Sequence, residues 1–336
     1  MDFRFTEDQV LFADTVRDIL TNECPPAAVR DAWENDTGTV DGLWDTLAAT
    51  GVVGLTAPES AGGLGMADLD LVLIMEELGR AACPEVVLEH TAVALPLLAD
   101  APAAIADRWL APAAAGEARV TASLGSPYVL GAAQSDLLIL RHGDELHAVA
   151  TADTTLTPQT SVDETRRLAS VDWSPTADTL VTADPAVIAA AERRAAVAAA
   201  AQCVGIAQQL LDMTVDYVQE RRQFGSPVGV NQAVKHHLAD VGKAIEFARP
   251  MVYRAAWCLG ADGLDEVEVA TAAAMAKKLA SDAVDLAARS SLQCHGAIAY
   301  TVEYDLQLWL KRGWALAAAW GSARNQRATL ARLAIA

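Results

Sequence analysis

Two short segments carry residue types that suit binding of a charged ligand. In the first, Glu220-Arg-Arg-Gln-Phe-Gly225 is followed by Gln232-Ala-Val-Lys-His-His-Leu-Ala-Asp240. A helix end with two guanidinium groups, a turn, and an amide opening the next helix together offer charge-assisted donors beside a neutral hydrogen-bonding group. Such an edge suits a pyrophosphate. The same Arg221 and Arg222 also favour a helix C-terminus electrostatically, and on pattern alone both readings stand. The second segment, Leu292-Gln-Cys-His-Gly-Ala-Ile-Ala-Tyr-Thr301, follows a helical stretch and gathers small residues where a backbone can approach a ligand closely. Taken alone it reads as a helix end capped at Gly296.

Other candidates for chemistry fall away. Gly62, Gly63 and Gly65 follow no strand and lack the spacing of a dinucleotide fingerprint, so they read as a tight turn. His90, His142, His147, His236, His237 and His295 show no metal-ligand spacing, and the adjacent His236 and His237 point to different helix faces, so no metal is expected. Neither a G-x-S-x-G elbow nor an H-E-x-x-H helix occurs. Cys24, Cys83, Cys203, Cys258 and Cys294 are odd in number and form no C-x-x-C pair, so neither a disulfide framework nor a zinc site is indicated. The net charge of −19 opposes a phosphate backbone or an anionic bilayer, which excludes nucleic acid as an expected partner.

These segments need elements to hold them. With 336 residues there is room for one large or two to three small packed units. A hydrophobic fraction of 52% built from Ala, Leu and Val, with only 5% aromatics, points to close-packed helices. Thr6 and Gln9 resemble a capping box ahead of an apolar face of Val10, Phe12, Val16, Ile19 and Leu20, in a helix ending near Pro25. Further helices are predicted over 40–50, 68–82 and 86–98, with a turn-rich stretch at 58–65. Over 118–182 the texture changes to a small β unit, in which Leu137-Leu-Ile-Leu140, His142-Gly-Asp144 and Leu146-His-Ala-Val149 read as a hairpin. Pro185 opens a long helix toward Arg222. A second helix from about Gln232 carries a stripe of Val234, Leu238, Val241, Ile245, Ala248, Val252, Ala255 and Leu259, with Pro250 expected to kink or divide it. A third is predicted over 266–292 and shorter ones over 304–318 and 322–334. The apolar stretch 195–213 contains Gln202, Gln208, Gln209 and Asp212 and reads as a bundle helix rather than a membrane span. The opening residues lack a signal-peptide pattern, so a cytoplasmic location is expected.

Taken in order, these segments resemble the acyl-CoA dehydrogenase family over nearly the whole chain. Phe5-Thr-Glu-Asp-Gln9 is similar to its opening helix, and Gly51-Val-Val-Gly-Leu55 through Gly65 to its G-hydrophobic-P-E-x-x-G-G-x-G loop. Arg221-x-x-Phe224 with Gln232 matches its R-x-x-F…Q element, and Gln293-Cys-His-Gly-Ala297 its Q-x-x-G-G element. The resemblance implies a mainly α fold with a small β domain: a helical N-terminal domain (1–117), a reduced middle β domain (118–182) and a C-terminal four-helix bundle (183–336). It implies FAD as cofactor, with Arg221, Phe224, Gln232, Gln293 and Gly296 on its adenosine pyrophosphate. Ala297 departs from the family's second glycine.

The catalytic pattern departs further. The family's base is a glutamate in a Y-E-G-T-type motif; the corresponding segment here is Ala319-Trp-Gly-Ser322, with Trp320 in its place, and indole cannot accept that proton. Where other members carry the glutamate on the first bundle helix, this chain has Ala195, and Glu192 lies three residues earlier. No counterpart of the T-E-P-x-A-G-S-D loop is found; Ala122-Ser-Leu-Gly-Ser-Pro127 comes nearest. No residue of this chain is therefore assigned to catalysis. The expected role is the shorter, non-catalytic subunit of a heteromeric (α2β2) acyl-CoA dehydrogenase acting on an acyl-CoA, similar to those for steroid side chains in actinobacteria. A longer subunit would be its partner, and an electron-transfer flavoprotein the acceptor the family implies. The alternatives are a self-sufficient homotetramer with a relocated base such as Glu192, and a non-enzymatic scaffold that has lost flavin.

Overall fold

A computed structural model describes residues 4–335, and the chain divides into two compact units: residues 1–74 with 84–198, and residues 75–83 with 199–336. The first unit opens with helices α1 (Glu7–Glu23), α2 (Pro26–Glu34) and α3 (Leu43–Ala49), and with the start of α4 (Asp68–Arg80). The capping box at α1 is formed as the sequence indicates. Gln9 N–H donates to Thr6 Oγ1 at 3.2 Å, and Thr6 N–H donates to Gln9 Oε1 at 2.8 Å. Gln9 Nε2 then reaches Asp70 Oδ1 at 2.7 Å, tying α1 to α4. The turn-rich stretch closes through a short 3₁₀ turn, Glu59–Ala61.

The apolar stretch predicted over 86–98 winds partly as a π-helix, Leu88–Ala94, continuous with α5 (Leu95–Ala99), and all seven π-helical residues are buried. Two helices that periodicity does not reveal are α2 and α6 (Ala103–Ala114). Strands β1 (Val120–Ser123), β2 (Val129–Leu130), β3 (Leu137–His142), β4 (Glu145–Ala150), β5 (Thr155–Gln159), β6 (Leu168–Asp172) and β7 (Leu180–Thr182) follow. Among the described residues they form a four-stranded sheet, β1-β3-β4-β7, and a three-stranded sheet, β2-β6-β5. The β3–β4 hairpin turns through Gly143 and Asp144, with His142 paired to Glu145. A core of Val129, Ala132, Leu138, Leu140, Val149 and Ala169 joins strands of both sheets.

His90 links the helical part of this unit to the sheet. Its Nε2–H donates to the Ala113 carbonyl and its Nδ1 accepts from Val120 N–H, each at 3.0 Å, so two bonds fix one neutral tautomer. Trp44 packs edge-on against the imidazole and donates from Nε1 to the Gly116 carbonyl at 2.9 Å.

In the second unit, residues 75–83 accompany α7 (Pro185–Glu220) from residue 199 on. They are joined by α8 (Gln232–Gly260), α9 (Glu266–His295), α10 (Leu306–Ala318) and α11 (Ala323–Leu333). The apolar stripe of α8 is buried at Val241, Ile245, Ala248, Val252 and Ala255. Of the two outcomes expected at Pro250, division does not occur: α8 runs unbroken from Gln232 to Gly260. Pro250 and Glu246 both lie on the exposed side, where water can take the carbonyl that proline leaves unbonded, while the buried stripe holds the two halves in line. No helix among the described residues is long and apolar enough to cross a membrane.

Burial pushes the His90 imidazole down to about 4, from an ordinary 6.5. The unfolded chain therefore binds a proton that the folded chain refuses between these values. Stability is full above pH 6.5 and falls as pH drops toward 4, by about 3 kcal/mol from this group. Denaturant titrations at pH 7 and pH 4 should show a shallower pH dependence in His90→Gln than in the parent chain. Equal slopes would mean that another group governs the acid sensitivity.

Candidate functional site

The arginine-bearing segment lies at the exit of α7. The helix ends at Glu220, and the Arg221 backbone is fixed on both sides: its N–H donates to Tyr217 O and its carbonyl accepts from Val228 N–H, each at 2.8 Å. Two-residue strands β8 (Arg222–Gln223) and β9 (Ser226–Pro227) then pair as a minimal hairpin. Its turn residues, Phe224 at φ 53° and Gly225 at φ 87°, both have positive φ, the condition of a type I′ turn. Glycine meets that condition freely, but a phenylalanine costs about 1 kcal/mol there. In return, the Phe224 ring stands wholly clear of the protein, at 104% relative exposure. Among the described residues no ion pair holds the guanidinium of Arg221 or Arg222. After a 3₁₀ turn at Val228–Val230, Gln232 begins α8 on the exposed side.

The second segment closes α9. Gln293 is exposed, and Gly296 ends the helix at φ 68°, ψ −139°, a conformation open essentially to glycine alone. A Cβ built on Gly296 would meet nothing within 4 Å, so its backbone is open to close approach. Between the two lies His295, buried. Its ring stacks on Tyr217 of α7 with centroids 4.3 Å apart and planes at 21°, and Tyr217 Oη–H donates to the His295 carbonyl at 3.3 Å. The α7 end carrying Arg221 and the α9 end carrying Gln293 and Gly296 are thus joined at one edge of the unit.

This edge fits an anionic, planar-ringed cofactor such as the flavin dinucleotide implied by the resemblance. It combines arginines free of ion pairs, an exposed aromatic ring, an open glycine backbone and, at His295 Nε2, a buried nitrogen with no hydrogen-bond partner. Ala297, in place of a second glycine, is exposed. Among the described residues no cluster of His, Cys, Asp or Glu could hold a metal ion.

The segment expected from the resemblance to correspond to the family's base is a sharp turn between α10 and α11. Trp320 at φ 53° and Gly321 at φ 89° reverse the chain, and Ser322 caps α11 by accepting from Asn325 N–H at 3.3 Å. Beneath the turn lies a residue that motif reading passes over. Lys277 of α9 is 0% exposed, and its ammonium donates to Ser281 Oγ (2.9 Å), Leu316 O (3.1 Å) and Ala317 O (3.2 Å). All three N–H bonds are used, two of them on last-turn carbonyls of α10 that the helix itself cannot satisfy. Burial pulls the Lys277 ammonium below its usual range. The signal available in the sequence is position: Lys277 falls on the buried stripe of Ala273, Ala280 and Val284, whereas Lys278 pairs with Asp282 at 2.8 Å.

The other base candidates are equally plain. Ala195 is fully buried within an alanine-rich run of α7. Glu192, half-exposed, accepts from Arg141 Nη1 at 2.9 Å, and Arg141 also donates from Nε to Gly143 O at 2.9 Å. Its carboxylate is held by a cation on the β3–β4 hairpin.

Residues 6–117 match the family described as acyl-CoA dehydrogenase, N-terminal domain, and residues 187–335 the family described as acyl-CoA dehydrogenase, C-terminal domain. The chain is similar to acyl-CoA dehydrogenase IpdE2 of Mycolicibacterium smegmatis, with 33% identity over 96% of this chain and 97% of that protein. It is 32% identical to acyl-CoA dehydrogenase FadE34 of Mycobacterium tuberculosis over 85% of this chain but only 42% of that protein. Among solved structures, a chain of the ChsE4-ChsE5 complex from Mycobacterium tuberculosis superposes with a TM-score of 0.90 at 22% identity, covering 100% of this chain and 99% of the other.

Replacing Lys277 by methionine keeps the length of the side chain but leaves the α10 carbonyls unpaired. Each buried unsatisfied carbonyl costs on the order of 2 kcal/mol, so Lys277→Met should lower the thermal midpoint by several degrees. An unchanged midpoint would show that the clamp contributes nothing net to stability.

Proposed function

We propose that this chain, which belongs to the acyl-CoA dehydrogenase family, is an FAD-binding subunit that leaves proton abstraction to a longer partner of the same family. The observation that carries this reading is a contrast within one chain. Arg221, Phe224, Gln232, Gln293 and Gly296 are all present on an exposed edge, while the family resemblance puts Trp320, an indole, where a catalytic carboxylate is expected.

In this reading Arg221 supplies a charge-assisted donor to a phosphate, Gln232 and Gln293 supply neutral hydrogen bonds, and the Gly296 backbone allows close approach. Phe224 offers a ring face for packing. Bound FAD supplies the hydride acceptor. The partner contributes the base and most contacts to the thioester, giving an α2β2 assembly that oxidises an acyl-CoA. A steroid side chain as the acyl group, and an electron-transfer flavoprotein as the acceptor, rest on family resemblance.

Chain length supports the pairing. IpdE2 is matched almost end to end, whereas in FadE34 the region similar to this chain makes up less than half of one polypeptide. A unit of this size thus exists both as a separate chain and beside a comparable length of further sequence. The pairing of Glu192 with Arg141 weighs against the homotetramer with a relocated base. A scaffold that had lost flavin would have no physical need for the five edge residues together.

Arg221→Ala, in the chain co-expressed with a longer family member carrying an intact glutamate, should release FAD while the assembly stays intact. Flavin absorbance per assembly after gel filtration reads this directly, and unchanged flavin content would refute the site. In the same assembly Glu192→Gln should leave acyl-CoA oxidation within about twofold, since a half-exposed ion pair contributes little. Abolished turnover would instead identify Glu192 as the base.

A further inference from the structure

We infer that His295 is the positioning residue of this edge: as a neutral imidazole it locks the end of α9 that bears Gln293 and Gly296 to the end of α7 that bears Arg221. The inference rests on the cofactor reading above for its functional meaning, but its geometry stands independently of it.

Four contacts define the lock. Nδ1–H donates to the Ser291 carbonyl at 2.8 Å, which fixes the tautomer and leaves Nε2 as a lone pair. The ring lies against Tyr217 at 4.3 Å on one element and Tyr304 at 5.3 Å on another, and the two tyrosine rings are 6.2 Å apart. The phenol of Tyr217 closes the circuit by donating to the carbonyl of His295. Tyr217 is one helical turn before Arg221, and His295 is flanked within three residues by both Gln293 and Gly296. Any loosening of the ring stack therefore reaches both halves of the edge.

The lock requires the neutral form. Nε2 is buried and finds no partner, so a proton there would place a second N–H and a positive charge with no acceptor. From α7 the groups facing the ring are Tyr217 and, nearby, Glu220; from the segment before α10 they are Tyr304 and Asp305; from α9 it is the Ser291 carbonyl. Burial raises the Tyr304 hydroxyl, with Tyr217, Asp305 and Glu220 adding to the shift. Burial accordingly holds His295 below its ordinary 6.5. In the opened edge the ring titrates normally, so below that pH opening becomes about tenfold easier per pH unit until the folded ring itself protonates.

Hydrogen exchange on the chain alone tests the lock without any ligand. After correction for intrinsic rates, peptides covering 217–228 and 292–302 should be protected at pH 7.5 and lose part of that protection near pH 5.5. His295→Phe keeps a ring between the tyrosines but cannot titrate, and should show the same protection at both pH values. His295→Ala should be open at both. Parent protection that is unchanged with pH, or a Phe variant that opens on acidification like the parent, would overturn the inference. FAD retention by the co-expressed assembly, measured at the same two pH values, tests the other half. Release from the parent but not from His295→Phe supports both statements, whereas retention of FAD by an edge shown to be open overturns the cofactor reading and leaves the lock standing.

Discussion

The bundle depends on a backbone-to-backbone crossing between the end of α4 and α7. A Cβ on Gly79 would lie 2.2 Å from the Gln202 carbonyl, and one on Gly205 would lie 1.9 Å from the Glu76 carbonyl. Only glycine at both positions lets the two helices approach so closely. The crossing brings charged groups into contact with α8. Arg249 donates to Glu76 and to Gln208 at 2.9 Å each, Tyr253 Oη–H donates to Glu76 at 2.7 Å, and Arg80 pairs with Asp212 at 2.6 Å. Burial, and after it the adjacent Glu76 carboxylate, keeps the Tyr253 hydroxyl protonated far above its ordinary range. Such a network is worth keeping only when every member is satisfied. Here the last residue of α4 and the turn after it also accept, from Trp309 to Arg80 O at 2.8 Å and from Arg312 to Cys83 O, which draws α10 onto the same core.

With the helix axes fixed there, the helix ends are free to carry function, and each end is settled by a different device. The end of α7 passes into a hairpin strained at Phe224, the end of α9 stops at a glycine, and the end of α10 is capped by a buried ammonium. The last of these is uncommon, since a desolvated lysine needs acceptors for all its N–H groups and finds them in Ser281 and two helix-terminal carbonyls. It keeps the turn at Trp320 well formed although no carboxylate is present. In the proposed subunit role, this turn would serve the shape of the chain for assembly.

Much of this was legible from residue order. The capping box at Thr6, the β3–β4 hairpin around Gly143, the opening of α7 at Pro185 and the buried stripe of α8 follow from local rules, because each is set by neighbours within a turn or a strand pair. Pro250 does not divide α8 because tertiary packing along Val241, Ile245, Ala248 and Val252 outweighs one lost hydrogen bond on a solvated face. The π-helical turn, with Glu89 and His90 buried in it, is dictated by partners such as Ala113 and Val120 more than twenty residues away. Lys277 and His295 were hidden for the same reason. Each lies on a buried helical stripe, but burial of a titratable residue becomes meaningful only when its acceptors or ring partners are known. Arg221, Phe224 and Gln232 stood out because they cluster in the chain, whereas their link to Gln293 and Gly296 runs through the Tyr217–His295 stack, which no local pattern encodes.

The measurement that bears most directly on a subunit role is flavin per chain, by visible absorbance, in folded monodisperse protein purified alone and again after co-expression with a longer relative. Little or no FAD alone, restored to about one per heterodimer with the partner, is the expected result. One FAD per chain in the isolated protein, with turnover of an acyl-CoA, would contradict it and establish a self-sufficient enzyme.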